Sequence, residues 1–179
     1  MANIDAPMGF NPVGKIGSGP PQKAGSYQIT DDVIFQGDAV QIASNTGVLT
    51  QAGVGTTNVG VFWGCNFDDS TGKPQFKNQS AAGQASEAFV YDDPYQVFEL
   101  QGKSGVNSAQ TDVGRKADIV VGTGSTTNGV SGMELDTGTF ATGADINCTV
   151  IGFSGNPARN AVGEAHTLYE VLINEHMYK

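Results

Sequence analysis

The stretch VGVFWGCNFDDSTGKPQF, residues 59–76, decides the fold. Val59, Val61, Trp63, Cys65 and Phe67 alternate with Gly60, Phe62, Gly64 and Asn66. A period of two puts one set of side chains on one face of an extended chain. The reading is one long strand, buried on at least one side, with Val61, Trp63, Cys65 and Phe67 in the core. Truncating a tryptophan placed there would cost about 3–5 kcal/mol by leaving a cavity. DDSTGKP then stops the strand: Asp and Ser cap turns, Gly72 can take a positive φ, and Pro74 restarts an extended chain.

The same grammar recurs outward from this point. In GDAVQIA (37–43) Val40 and Ile42 face one way and Gln41 the other; SNTGV turns the chain, and Val48 and Leu49 begin a return strand. EAFVY, the turn DDP and YQVFELQ read as a hairpin over residues 87–101. RKADIVVG and GMELDTG are shorter strands separated by the turn-rich TGSTTNGVS. NCTVIGFSG is a second long strand, with Cys148 and Ile151 as core, and LYEVLINEH closes the chain. No i, i+3, i+4 apolar pattern persists over three turns, so long helices are not expected. The expected fold is all-β, a compact barrel-like or sandwich-like domain of short strands. An internal echo runs through it: strand, hairpin and long cysteine-bearing strand occur in the same order around Cys65 and around Cys148.

The first 26 residues read differently. GSGPPQKAGS (17–26) is rich in Gly and Pro, which resist both ladder and helix, because Pro lacks the N–H and Gly is costly to order. The expectation is an extended arm over residues 1–26 and a single β-rich domain over residues 27–179.

Composition narrows the function. The chain has 25 glycines and only 15% charged residues, the balance of a protein of many turns. Nine Lys+Arg stand against 18 Asp+Glu, a net charge of −9. A polyphosphate backbone or an anionic lipid surface would be repelled, so neither nucleic acid nor membrane is expected as a partner. No apolar run approaches the roughly 20 residues of a membrane span. The start, MANIDAPMGFNPVG, has neither the basic residues nor the apolar stretch of a secretory leader, which points to the cytosol. Cys65 and Cys148 are too few for a disulfide framework and read as buried thiols.

Candidate chemistry is sparse. STGKP lacks the glycine five residues before its Gly-Lys, where Phe67 stands, and has Pro74 where a phosphate loop needs Ser or Thr. The aspartate pairs 31–32, 68–69 and 92–93 fall where strands start or end, which favours turn and cap roles over calcium ligation. His166 and His176 have no second ligand at metal-site spacing, and no G-x-S-x-G elbow offers a nucleophile. No catalytic, cofactor or metal residue is assigned, and the chain is not expected to be an enzyme.

The order GFNPV, GDAV, GVFWGCNFDDSTGKPQF, VYDDPYQVFELQ, GSTTNGVSGMELD, VIGFSGNPARN and the terminal NEH resembles the small capsid decoration, or cement, proteins of tailed bacteriophages, over most of residues 9–176. The resemblance implies a β-rich homotrimer on the outer surface of the head. It would be assembled in the host cytoplasm, binding the major capsid protein where capsomers meet and reinforcing the DNA-filled shell. In that setting the arm is a grappling element, with Phe10, Asn11, Pro12, Val13, Pro20 and Pro21 as its contact residues. The alternative is a head-fibre or tail-associated adhesive or carbohydrate-binding module, which would group Tyr91, Tyr95 or Tyr169 on one face. An enzyme would need Asp92 or Asp93 to converge with Glu99.

Overall fold

The computed structural model describes residues 3–22, 24–103, 105–141, 146–155 and 160–179. Residues 1, 2 and 23 of the expected arm, and residues 156–159 of VIGFSGNPARN, lie outside the described residues.

The chain is all-β. Its strands are β1 (Asn11–Lys15), β2 (Ala24–Ile29), β3 (Ala39–Ile42), β4 (Leu49–Gln51), β5 (Gly60–Asp68), β6 (Pro74–Lys77) and β7 (Ser86–Tyr91). Then come β8 (Gln96–Gln101), β9 (Lys116–Ala117), β10 (Ile119–Val120), β11 (Glu134–Leu135), β12 (Cys148–Phe153) and β13 (Leu168–Ile173). A five-stranded sheet has the order β1-β8-β13-β12-β9, and a six-stranded sheet the order β2-β7-β5-β3-β4 with β6 also on β5. β10 and β11 form a short ribbon, and every named strand pair is antiparallel.

The decisive stretch is the spine of the six-stranded sheet. β7 runs along one edge of β5, while the other edge is shared, with β3 on its first residues and β6 on its last. Both faces of this sheet are covered. Ala39 and Val61 enter a core shared with Phe98, Leu100, Cys148 and Val171 of the five-stranded sheet. On the opposite face Val40, Phe62, Cys65, Ala88 and Val90 pack with Ile34 of the β2–β3 connection. A strand buried on both faces is apolar at consecutive positions, which is why Val61 and Phe62 are adjacent.

Strict alternation along β5 fails at one residue. Phe62 faces Val90 and Gly64 faces Phe89, so Trp63 is an extra residue, a β-bulge. The bulge resets the faces, and Phe62 and Cys65, three apart, share one core. Trp63 is therefore partly buried rather than central, its ring edge-on to Tyr91 at 5.5 Å. Phe67 is also only partly buried, because it lies beyond the core, where the Lys77 ammonium covers its ring at 4.8 Å. Ile151 departs from the expected core for the same reason as Trp63: β12 shifts register between Val150 and Gly152, leaving Ile151 as the unpaired residue. Val61, Cys65 and Cys148 are buried, and both cysteines are free thiols.

The echo around the cysteines has a counterpart in the pairing. β3 pairs both with its hairpin partner β4 and with the long strand β5; the β9–β10 run pairs with β11 and with the long strand β12.

The N-terminal reading needs correction. The segment is extended, but residues 11–15 do form a ladder, pairing with β8, and Phe10 is core at 2% exposure. An edge strand tolerates Pro12 and Gly14, which a central strand would not. β2 begins at Ala24 and crosses the expected boundary at residue 26.

Candidate functional site

β1 stands at the rim of the five-stranded sheet and is tied down along its length. The Phe10 N–H donates to the Gly37 carbonyl at 2.8 Å, and its ring meets Phe98 edge-on at 5.7 Å. Lys15 forms an ion pair with Asp93, and the Ile16 N–H donates to the Tyr95 carbonyl at 3.1 Å. The Gln96 side-chain amide donates to the Gly14 carbonyl at 2.5 Å. The Lys15 ammonium holds the Asp93 carboxyl below the usual carboxylate range.

Of the expected contact residues, Phe10 points inward, Pro12 and Pro21 are partly buried, and Asn11, Val13 and Pro20 are exposed. Val13 is the extra residue of a third bulge, between Pro12 and Gly14. That bulge turns an apolar side chain outward on an otherwise paired strand. Val13, Ile16, Val97 and Ile151 line an open hollow of about 330 Å³ together with Lys15 and Glu170. Beside it Glu99 faces Glu170 directly across β8 and β13, and among the described residues neither carboxylate has an ion pair. Like charges placed opposite each other disfavour a sheet. The hollow mixes four apolar side chains with one cation, Lys15, and one carboxylate, Glu170.

The structure separates the tyrosines that a sugar-stacking face would require. Tyr169 is core at 1% exposure, edge-on to Phe140 and donating its hydroxyl to Asp112 at 3.1 Å. Tyr91 is partly buried against Trp63, and of these three Tyr95 alone is open to solvent. A different aromatic pair is accessible: Phe76 of β6, 55% exposed, lies 6.2 Å from the partly buried Phe89 of β7.

The aspartates fix turns and tie distant segments together. Asp69 accepts from the Thr71 and Lys73 N–H groups and from the Thr71 hydroxyl, which hold its carboxyl below the usual range. Asp31 accepts from the Gly83 N–H and Asp32 from those of Val33 and Gln51. Asp92 accepts from the Tyr27 hydroxyl at 2.8 Å, and Asp93 is engaged by Lys15 and the Tyr95 N–H. Glu99 is paired in register with Glu170 instead.

One constellation escaped the linear reading. Asp5, Glu134 and His166 bring a ligand atom each to within 4.8 Å of one another. The imidazole Nδ1 of His166 lies 3.6 Å from Asp5 Oδ1. Glu134 sits on β11, and His166 precedes β13 with φ +54. Burial raises the Glu134 carboxyl above its ordinary pKa, and the Asp5 charge adds to this. Spacings of 129 and 32 residues carry no motif, and the three meet only through tertiary folding.

No helix among the described residues is long and apolar enough to cross a membrane. No protein-family model, curated protein or solved structure matches the chain.

Proposed function

We propose that the chain is a structural virion protein, a capsid decoration or cement protein. It binds the outer surface of the major capsid protein shell at capsomer junctions, as a homotrimer, and stabilises the DNA-filled head. The observation that carries this reading is the rim of the five-stranded sheet, where Val13 and Ile16 stand exposed on and beside an edge strand and line an open hollow. Sheet rims are natural docking lines for extended partner segments. The resemblance to phage cement proteins and the acidic charge, which suits the outside of a DNA-filled shell, point the same way.

Cementing needs no bond chemistry. A subunit that touches several capsomers gains effective concentration from its first contact, so each further contact can be modest. Binding only the assembled shell then stabilises that shell by mass action. No catalytic role is proposed for any residue.

Co-sedimentation with expanded phage heads tests the reading, with light scattering of the free protein alongside. Saturable binding by a species of three times 18.6 kDa is the expected result. A protein that stays in the supernatant at every head concentration would end the cement reading. The exposed Phe76 beside Phe89 then becomes the surface to test for the alternative, an adhesive or carbohydrate-binding module, on a glycan array.

A further inference from the structure

We propose that Asp5, Glu134 and His166 bind a divalent first-row metal ion, Zn²⁺ foremost, which clasps the N-terminal segment to the body of the protein. The inference stands independently of any capsid partner.

The donor set comes first. One imidazole nitrogen and two carboxylates suit borderline ions such as Zn²⁺ and disfavour Mg²⁺ or Ca²⁺, which take oxygen donors. Three protein ligands with a remaining position for water is a common zinc arrangement. Zinc bonds of about 2.0–2.2 Å place tetrahedral donors roughly 3.3–3.6 Å apart. The His166 Nδ1 to Asp5 Oδ1 separation of 3.6 Å already falls there, and the three ligand atoms all lie within 4.8 Å of one another, a gap that a side-chain rotation closes. Asp5 can supply that rotation, since its side chain is 62% exposed.

A second, independent observation points to a ligand. Glu134 Oε1 and His166 Nδ1 are each shielded from solvent and have no hydrogen-bond partner. Shielded polar atoms in folded proteins are usually satisfied, and a cation held among Asp5, Glu134 and His166 would satisfy both residues together. At 3.6 Å the Asp5 carboxylate is too far to serve as a hydrogen-bond acceptor for the imidazole.

The backbone around Asp5 is already in place. The Asn3 side chain donates to the carbonyls of Ala161 and Ala165 at 3.0 and 2.9 Å and accepts from the Ala161 N–H at 2.7 Å. On the other side of Asp5, Gln101 accepts from the Ala6 N–H at 3.0 Å and donates to the Ile4 carbonyl at 2.9 Å. Ordering the segment is therefore not left for the metal to drive. Lys103, 4.0 Å from Asp136, is the neighbouring cation that the ion must outcompete for Glu134.

Isothermal titration of the full chain with ZnCl₂, after EDTA treatment and dialysis, tests the site. The expected result is one equivalent bound with micromolar or tighter Kd, a raised Tm, and slower amide exchange in residues 3–9, all reversed by EDTA. D5N, H166Q and E134Q should each weaken binding at least tenfold. D5N is the decisive variant, because an exposed side chain can be changed without unfolding the protein, and its Tm in EDTA should match the parent. Absence of zinc binding by the parent overturns the proposal. So does full binding retained by D5N, which would mark an adventitious ion elsewhere, or MgCl₂ binding as tightly as ZnCl₂.

Discussion

Gly9 and Gly37 cross so closely that neither has room for a side chain. A β-carbon on Gly9 would lie 2.4 Å from the Gly37 carbonyl oxygen, and one on Gly37 would lie 2.5 Å from that of Met8. Both residues have positive φ, +66° and +93°. The crossing seats Phe10 in the core and aligns β1 on β8. Gly37→Ala should lower the unfolding free energy by at least about 2 kcal/mol, from a strained φ plus a backbone clash. Gly17→Ala is the control: it has φ +89° but nothing within 4 Å, so only the conformational cost of about 1–2 kcal/mol applies. Urea denaturation of the two variants would show equal losses if the close approach contributed nothing.

Phe62 and Trp63 invite a direct comparison, because the bulge assigns them opposite roles. Phe62 is fully buried, while Trp63 is partly exposed against Tyr91. Phe62→Ala should cost about 3–5 kcal/mol by leaving a cavity. Trp63→Ala should cost about 1–2 kcal/mol, the loss of one aromatic pair and part of a buried surface. The ranking is the test, read from denaturation midpoints with unchanged m-values. A Trp63→Ala loss as large as that of Phe62→Ala would return Trp63 to the core.

Legibility divides along the same line. Period-two patterning located the strands that became β3, β5, β7, β8, β12 and β13, since burial on a pleated sheet imposes that period. It misassigned Trp63 and Ile151 because each is a bulge residue, and one inserted residue leaves no compositional mark. Phe10 and β1 fell within the expected extended arm because the first 26 residues are rich in Gly and Pro, whereas the pairing is carried by β8 and the Gly9–Gly37 crossing. Asp5, Glu134 and His166 lay beyond reach for another reason: their proximity is a product of tertiary folding alone.

His176 gives stability a pH dependence of definite sign. It is buried near the C-terminus, where its Nδ1 accepts the Tyr178 N–H at 3.2 Å, and Asn58 bonds the backbone on either side of it, at 2.6 Å to the Glu175 carbonyl and 2.8 Å from the Met177 N–H. Burial pushes the imidazole below its ordinary pKa of 6.5; Lys179 acts in the same direction, and Asp92 and Asp93 oppose it. Below 6.5 the unfolded chain binds a proton that the folded chain resists. The His176 contribution to stability is therefore present above 6.5 and falls as pH drops through the folded value. His176→Asn should flatten this slope, seen as a smaller Tm decrease between neutral and mildly acidic buffer. A slope unchanged in the variant would assign it to the carboxylates instead.

The rim of the five-stranded sheet can be tested without disturbing the fold. Deleting the N-terminal residues would remove Phe10 and β1 together, so lost binding would not be separable from lost structure. Val13 and Ile16 are 44% and 53% exposed, and exposed positions usually tolerate substitution within about 0.5 kcal/mol. The double variant Val13→Asp, Ile16→Asp puts two negative charges into a hollow lined by Glu170 as well as Lys15. It should reduce co-sedimentation with expanded heads at least tenfold, while its Tm stays within a few degrees of the parent. A charge-neutral Val13→Ser, Ile16→Ser pair should lose less, because it removes apolar contact without adding repulsion. Head binding that survives both pairs undiminished would move the capsid contact away from β1.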